Sequence, residues 1–247
     1  MSALIWEGNV LREQYLIKFS KGEDIKFIGH LDLMRALQRM IRRSGIPAEY
    51  SKGFNPHINM SIAQPLSVGI YSTGEYMDLY LEREISVDEI MKKLNDSAPR
   101  GVEILEVNKV KRAENKKVFK SMAQISAAEY LINMGYNNTD RLEKNMDDLM
   151  DMDHWYDLKR TKRGEGRVDI RKFVKSMEYT VQGNRLLLHV LISCGSMENL
   201  SPQLLVHFIQ HNTENANMEH FVSIIRKEMY GKIKEDLIPL YEYVKHI

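Results

Sequence analysis

Residues 28–69 read IGHLDLMRALQRMIRRSGIPAEYSKGFNPHINMSIAQPLSVG, and this stretch carries the strongest structural pattern in the chain. Apolar residues recur every three or four positions near its start, which predicts a helix with one buried face. Gly45 followed by Pro47 is a typical helix ending. The pattern therefore predicts a helix over residues 30–44, followed by a short extended segment and an irregular, polar loop.

Another face of this helix is basic. It carries four arginines and no lysine, namely Arg35, Arg39, Arg42 and Arg43. A guanidinium group can pair with two oxygens of a phosphate or carboxylate at once, which the ammonium group of lysine cannot do. Two interpretations follow: the arginines bind phosphates, or they form an ordinary solvated face.

The loop at residues 51–57, SKGFNPH, contains a glycine and a proline that favour a turn. Its candidate binding residues are Lys52, Phe54, Asn55 and His57. In one interpretation, Phe54 stacks on an exposed RNA base. In the other interpretation, the ring is buried and anchors the loop to the core.

An enzymatic site is the alternative that these residues leave open. It would be a small polar pocket acting on RNA or a small molecule, built from His30, Asp32, Asn55 and His57. Imidazole and carboxylate groups serve in proton transfer, so His30, Asp32 and His57 are the catalytic candidates. The positive end of the helix already accounts for Asp32, and a catalytic metal normally needs three protein ligands. The sequence therefore predicts neither a metal site nor a cofactor.

A second basic segment covers residues 159–175, with eight basic residues against two acids and a local net charge of +6. The basic residues are Lys159, Arg160, Lys162, Arg163, Arg167, Arg171, Lys172 and Lys175. Residues 140–157 before it carry a local net charge of −5. The segment is interpreted either as a contact for a phosphate backbone or as a solvated loop paired with its acidic neighbour.

The sequence between residues 14 and 82 resembles the DUF2344 family of bacterial proteins. The motifs that carry the resemblance are His30-Leu31-Asp32, the arginine helix, the loop at residues 51–57 and Gly74-Glu75-Tyr76-Met77-Asp78. Proteins of this family are linked to radical SAM enzymes, so the resemblance implies such an enzyme as a partner. Together with the basic residues, it predicts a non-catalytic accessory protein that binds RNA or presents substrate to an RNA-modifying enzyme.

Composition excludes several classes of protein. A net charge of +1 excludes a strongly basic protein that coats nucleic acid, so an RNA site has to be a local patch. The single cysteine, Cys194, excludes a disulfide framework and a self-contained iron–sulfur cluster, so the chain is not a radical SAM enzyme itself. No apolar run is long enough to predict a membrane span or a secretory signal. We therefore expect a cytoplasmic protein with no membrane partner.

The predicted elements indicate an α+β fold of two ferredoxin-like units with antiparallel sheets. In the first unit, residues 1–110, strands are predicted at 15–20, 59–63, 75–82 and 102–110, and helices at 30–44 and 87–95. In the second unit, residues 121–247, strands are predicted at 127–134, 155–158, 175–182 and 185–193, helices at 140–150, 202–211 and 217–230, and a sheet edge at 240–244. The charged stretch between the units has few apolar residues, which is typical of a domain boundary.

Overall fold

The computed structural model describes residues 12–111, 118–161 and 164–246, and the protein is a mixed α+β structure. Its strands are β1 (Glu13–Lys21), β2 (Met60–Ile62), β3 (Tyr71–Leu81), β4 (Val102–Lys109), β5 (Ile125–Gly135), β6 (Tyr156–Thr161), β7 (Gly164–Asp169), β8 (Val174–Gln182), β9 (Arg185–Ser193), β10 (Ser223–Ile233) and β11 (Asp236–Pro239). Its helices are α1 (His30–Ser44), α2 (Val87–Asp96), α3 (Ser121–Gln124), α4 (Leu142–Met150), α5 (Pro202–Asn212) and α6 (Leu240–Tyr243). Within the described ranges, nine strands form one large, mostly antiparallel sheet, and β6 and β7 form a separate hairpin.

The helix predicted over residues 30–44 is confirmed, because α1 has those bounds. Its buried side chains are Leu33, Leu37, Met40 and Ile41. These are apolar positions of the periodic pattern, so the pattern identified the face that packs on the sheet. Gly45 follows the helix with a φ of 65°, a left-handed conformation that side chains with a Cβ rarely adopt.

The first half of the sheet has the strand order β4-β1-β3-β2, with antiparallel neighbours throughout. Every strand and helix predicted before residue 110 is present, and all except α1 have shifted ends. The largest difference is at the start of β3, which begins at Tyr71 and not at residue 75. This extension runs beside β10, where a Cβ on Gly74 would lie 2.4 Å from the carbonyl oxygen of Lys227. Gly74 is therefore required for the close approach of these two strands.

The second half has the strand order β10-β5-β9-β8, again with antiparallel neighbours. Strand β10 joins the halves, because it pairs in parallel with β3 through Ile225–Tyr71 and Arg226–Ser72. The prediction of a helix over residues 217–230 is wrong, since most of this segment belongs to β10 or to the turn before it. Hydrogen bonding to strands on both sides outweighs the local pattern of the sequence here.

The predicted sheet edge at residues 240–244 is also wrong, because these residues contain the short helix α6. The strand that pairs with the outer part of β10 is β11, directly before that helix. The hairpin predicted from residues 175–182 and 185–193 is confirmed as β8 and β9. None of the described helices, α6 included, is long and apolar enough to cross a membrane.

The basic segment forms a hairpin, whereas the sequence predicted a short strand followed by a flexible loop. Strands β6 and β7 pair from Tyr156 and Asp169 at the base to Thr161 and Gly164 near the tip. Lys162 and Arg163 lie outside the described residues, as do the side chains of Lys159 and Arg160. The prediction for these four cations is therefore untested.

The described apolar side chains pack into two clusters. One cluster consists of side chains from the first half and lies between the sheet and helices α1 and α2. The other cluster combines side chains of the second half with several from the first half, among them Leu16 and Tyr76. The predicted division into residues 1–110 and 121–247 stays a prediction, and residues 112–117 within its boundary lie outside the described residues.

Candidate nucleic-acid interface

The exposed face of α1 has two kinds of arginine. Arg35 pairs with a carboxylate in the preceding turn at 2.9 Å, and Arg43 donates a hydrogen bond of 2.8 Å to the carbonyl oxygen of Ser97. Arg39 and Arg42 are exposed and have no hydrogen bond or ion pair to other described residues. Residues three apart lie side by side on a helix surface. Two neighbouring guanidinium groups are therefore available to a ligand.

The loop at residues 51–57 is closed by hydrogen bonds at its base. The backbone N–H of Ser51 donates to the carbonyl oxygen of His57 at 2.8 Å. The Ser51 hydroxyl accepts a bond of 3.1 Å from the backbone N–H of His57 and lies 2.9 Å from His57 Nδ1. The flanking residues Tyr50 and Ile58 form a β-bridge. These contacts hold the loop as a narrow projection from the edge of the sheet.

Phe54 lies at the tip of this loop, and its side chain is fully exposed, at 108% of the reference value. Gly53 before it has a φ of 129°, which a residue with a Cβ rarely adopts. Lys52, Asn55 and His57 are also exposed. The interpretation of Phe54 as a buried anchor is therefore wrong, and the four candidate side chains of the loop all face solvent.

His30 and Asp32 do not meet the loop residues. They lie in the first turn of α1, whereas the loop follows its last turn, and a helix of 15 residues is about 22 Å long. The carboxylate of Asp32 is the partner of Arg35. No hydrogen bond or ion pair among the described residues joins His30 or Asp32 to Asn55 or His57, and the pocket predicted from these four residues stays a prediction. No group of three His, Cys, Asp or Glu side chains within the described residues is placed to hold a metal ion.

The described cations of the β6–β7 region lie over aromatic rings. Arg167 is 4.2 Å from the ring centroid of Tyr156, and Arg171 is 4.9 Å from a ring centroid of Trp155. Lys172 is 5.0 Å from the ring centroid of the phenylalanine that follows it. Such contacts stabilise a cation over the ring face. Among the described side chains, these three cations form no ion pair with residues 140–157, and the alternative of a segment paired with its acidic neighbour stays untested for the other cations.

The three predicted parts of the interface are separate in the fold. The arginines of α1 and the loop belong to the first half, whereas the hairpin packs on α5, where Trp155 stacks on Phe208 at 5.4 Å between centroids. Between the described side chains of α1, the loop and the hairpin there is no hydrogen bond or ion pair.

Sequence reasoning missed a buried ion pair between the two halves. Arg226 Nε donates to Glu75 Oε1 at 2.7 Å, and Arg226 Nη2 donates to the carbonyl oxygen of Gln64 at 3.0 Å. Arg226 is 1% exposed and Glu75 is 0% exposed. Burial opposes the positive charge, but the adjacent carboxylate outweighs it and raises the pKa of Arg226. The two residues are 151 positions apart, so no local pattern indicates the pair.

A second polar cluster lies at the same junction. Lys18 Nζ is 2.6 Å from Glu228 Oε2, and the hydroxyl of Tyr76 donates to Glu228 Oε1 at 2.6 Å. Burial, together with the neighbouring carboxylate, raises the pKa of Tyr76. One carboxylate oxygen of Glu106 is buried and has no hydrogen-bond partner among the described residues. The cluster links β1, β3 and β10, so these side chains contribute to the contact between the two halves of the sheet.

The sequence matches a known family. A family model described as "Uncharacterized protein conserved in bacteria (DUF2344)" matches residues 14–202. No curated protein matches the chain.

Three solved structures to which the chain is similar are distant. A chain of the "Crystal Structure of a Cbf5-Nop10-Gar1 Complex" has 14% sequence identity and a TM-score of 0.49, and the match covers 94% of this chain but 54% of that one. The "Crystal Structure of an Unknown Protein from Galdieria sulphuraria" has 11% identity and a TM-score of 0.25, with 90% and 99% covered. The "Crystal structure of putative glycine cleavage system transcriptional repressor" has 10% identity and a TM-score of 0.21, with 87% and 99% covered. These similarities are too low to assign a function.

Proposed function

We propose that this chain, which belongs to the DUF2344 family, is a non-catalytic RNA-binding protein that presents RNA to a radical SAM enzyme. The observation that carries the RNA part is the complete exposure of Phe54 at the tip of a closed loop. The enzyme partner is what the family resemblance implies. RNA modification is then the reaction in which the two proteins would act together.

The exposed ring of Phe54 contributes little to folding. Burying a phenylalanine side chain typically stabilises a fold by about 1.5–3 kcal/mol, and Phe54 makes no such contribution. The bonds between Ser51 and His57 order the loop before any ligand arrives, which lowers the entropic cost of binding. Stacking on an unpaired base contributes about 1–3 kcal/mol and suits every base. The loop is therefore best explained as a stacking platform for single-stranded RNA.

The surroundings of the ring supply polar contacts. Lys52, Asn55 and His57 are exposed beside it and can donate hydrogen bonds to phosphates and base edges. Arg39 and Arg42 add two guanidinium groups without a described partner on α1. Because the net charge of the chain is only +1, such local groups have to supply the electrostatic part of the affinity.

The positions of His30 and Asp32 argue against the enzymatic alternative. Asp32 is engaged by Arg35, and both candidates lie in the first turn of α1, whereas His57 lies in a loop that follows its last turn. A base and an acid that act on one substrate have to lie within hydrogen-bond reach of it. We therefore favour binding over catalysis for this face of the molecule.

Replacing Phe54 tests the RNA proposal. Phe54→Ala should weaken binding of a mixed-sequence single-stranded RNA by about 1–3 kcal/mol through lost stacking, as measured by fluorescence anisotropy. Phe27→Ala is the matched control, because Phe27 is 65% exposed at the other end of α1 and should leave the affinity unchanged. Unaltered RNA affinity in the Phe54 variant would remove the loop from the interface.

We also propose that each half of the sheet is a ferredoxin-like unit. In the first half, the chain order βαββαβ accompanies the strand order β4-β1-β3-β2, with α1 after β1 and α2 after β3. In the second half, the corresponding order is β10-β5-β9-β8, with α4 after β5 and α5 after β9. Both agree with the ferredoxin-like arrangement. The β6–β7 hairpin is then an insertion between α4 and β8.

We place the enzyme partner at the N-terminal end of α1. The most exposed apolar side chains there are Phe27, Leu31, Val68 and Phe221, each 50% to 65% exposed. The rings of Phe27 and Phe221 meet edge to face, with centroids 6.2 Å apart. Clusters of exposed apolar side chains are typical of protein interfaces. Because this cluster and the loop lie at opposite ends of α1, RNA and the enzyme can bind at the same time.

Charge substitutions test this docking site. Phe27→Asp combined with Phe221→Asp should abolish co-purification of a radical SAM enzyme from the native cells, because a buried carboxylate at an interface is costly. RNA affinity should stay unchanged. Met197→Asp is the control, since Met197 is 95% exposed and lies outside the cluster. The enzyme is detected by mass spectrometry. Its co-purification with the Phe27/Phe221 double variant as well as with the Met197→Asp control would contradict this docking site.

A further inference from the structure

A small polar cleft lies where β5 ends, beside the turn between β8 and β9. Its volume is about 260 Å³, and it is formed over Gly135 by Gln182, Asn184, Arg185, Asn217 and His220. None of the described residues that line it is acidic. The cleft is therefore lined by one guanidinium group, one imidazole ring, three amide side chains and Tyr136.

The guanidinium group of Arg185 is only partly used by the protein. Arg185 Nη1 donates to Asn133 Oδ1 at 3.1 Å and lies 3.3 Å from His220 Nε2. Within the described part of the chain, Arg185 forms no ion pair, and its remaining N–H groups have no hydrogen-bond partner. A guanidinium group with a free edge matches two oxygens of a phosphate.

The cleft is ordered before a ligand binds. The backbone N–H of Asn217 donates to Gly135 at 3.0 Å, and that of Tyr136 donates to Asn184 at 2.9 Å, so three chain segments are tied together. The side chain of Asn217 accepts a bond of 3.1 Å from the backbone N–H of His220. A Cβ on Gly135 would lie 2.7 Å from the His220 ring, so a glycine is needed for the ring to take this position.

We propose that this cleft binds the phosphate group of a small phosphomonoester. Its volume lies below the roughly 300 Å³ at which pockets for drug-sized ligands begin, so it fits one phosphate with a small attached group. Arg185 takes two phosphate oxygens, and His220 and the side-chain amide of Asn184 bind the remaining oxygen. This site goes beyond the proposed RNA function, because it lies in the other half of the sheet from Phe54.

Titration with inorganic phosphate at constant ionic strength tests the site. Backbone amide NMR signals of Gly135, Asn184 and His220 should shift and saturate, whereas sodium chloride should not reproduce the change. Acetate should bind more weakly, because a carboxylate carries less charge and fewer oxygens. A single-stranded RNA without a terminal phosphate should leave these signals in place. No saturation, tighter binding of acetate, or displacement of phosphate by that RNA would each overturn the assignment.

Single substitutions identify the residues. Arg185→Ala should weaken phosphate binding about tenfold or more, because a charge-assisted hydrogen-bond pair is lost. The phosphate affinity of the Arg185→Lys protein should lie between those of the Arg185→Ala protein and the parent. Lys144→Ala is the control, since it removes the same charge from an exposed position of α4. Equal losses in the Arg185→Ala and Lys144→Ala proteins would overturn the proposal. Phe54→Ala should keep full phosphate affinity, so failure of the RNA proposal and failure of this one are distinguishable.

Discussion

Gly53 and Phe54 show how two adjacent residues shape the loop that carries the proposed RNA contact. Gly53 has a φ of 129°, yet a Cβ built on it would meet no atom within 4 Å. Its backbone conformation, and not lack of space, therefore requires glycine. That conformation turns the chain so that the ring of Phe54 points into water.

Replacing this glycine should affect both stability and binding. Gly53→Ala should lower the free energy of unfolding by about 1 kcal/mol, because alanine is strained at this φ, and should weaken RNA binding as the loop rearranges. Urea denaturation and an RNA titration measure the two effects. Gly166→Ala is the control, since Gly166 also has open space around its Cβ position but no positive φ, and should change stability by less than about 0.5 kcal/mol. Parent-like stability and affinity of the Gly53 variant would contradict the assigned role of its backbone.

At the scale of one element, α1 has a buried face that packs on the sheet and a basic face that carries part of the proposed RNA contact. Its buried residues are Leu33, Leu37, Met40 and Ile41. Each such side chain contributes about 1.5–3 kcal/mol through burial, so this face stabilises the helix without help from the arginines. Exposed charges contribute little to stability. Substitutions of the exposed arginines of α1 should therefore change ligand binding without unfolding the protein.

Two double variants that remove the same charge distinguish a specific RNA contact of Arg39 and Arg42 from general electrostatic attraction. Arg39→Gln with Arg42→Gln should lower RNA affinity and reduce the slope of log K against log salt by about 1.4, because each lost single-strand phosphate contact removes about 0.7. The control combines Arg35→Gln with Arg100→Gln, since both arginines are already paired with aspartates at 2.9 Å and 2.7 Å. Its slope should stay closer to that of the parent. Indistinguishable slopes in all three proteins would exclude α1 from the interface.

At the scale of the whole molecule, one sheet and two buried polar clusters join the halves. Strand β10 pairs with β3, and beside this pairing Arg226 meets Glu75 while Lys18 meets Glu228. A buried ion pair offsets the cost of removing its charges from water only while both partners are present. The joint therefore depends on each partner, although the pair need not be more stabilising than apolar residues of equal size.

Breaking this joint should destabilise the protein strongly. Arg226→Met should lower the free energy of unfolding by about 3–5 kcal/mol in urea denaturation, because the carboxylate of Glu75 is left buried and unpaired. Adding Glu75→Gln to the same protein should recover much of the loss, since the uncompensated charge is removed. Arg35→Gln breaks an exposed pair and should cost less than about 1 kcal/mol. An Arg226→Met protein as stable as the parent would show that the pair does not hold the halves together.

The sequence by itself determined the elements whose signals lie within a few residues. These are α1 with its glycine ending, α2, α5 and the β8–β9 hairpin. Helix periodicity, caps and turn residues act through neighbours along the chain, so the elements they specify can be predicted from the sequence alone. The loop at residues 51–57 was predicted for the same reason, but whether its aromatic ring was buried or exposed was not, because a turn accommodates both.

Only the tertiary structure decided the features that depend on distant partners. Residues 223–233 are a strand because β3 and β5 offer hydrogen bonds on both sides, against a local pattern that predicted a helix over much of the segment. The meeting of Arg226 with Glu75 across 151 positions follows from the complete strand order. Such contacts have no local signature, because their energy arises only when segments far apart in the chain are brought together by the fold.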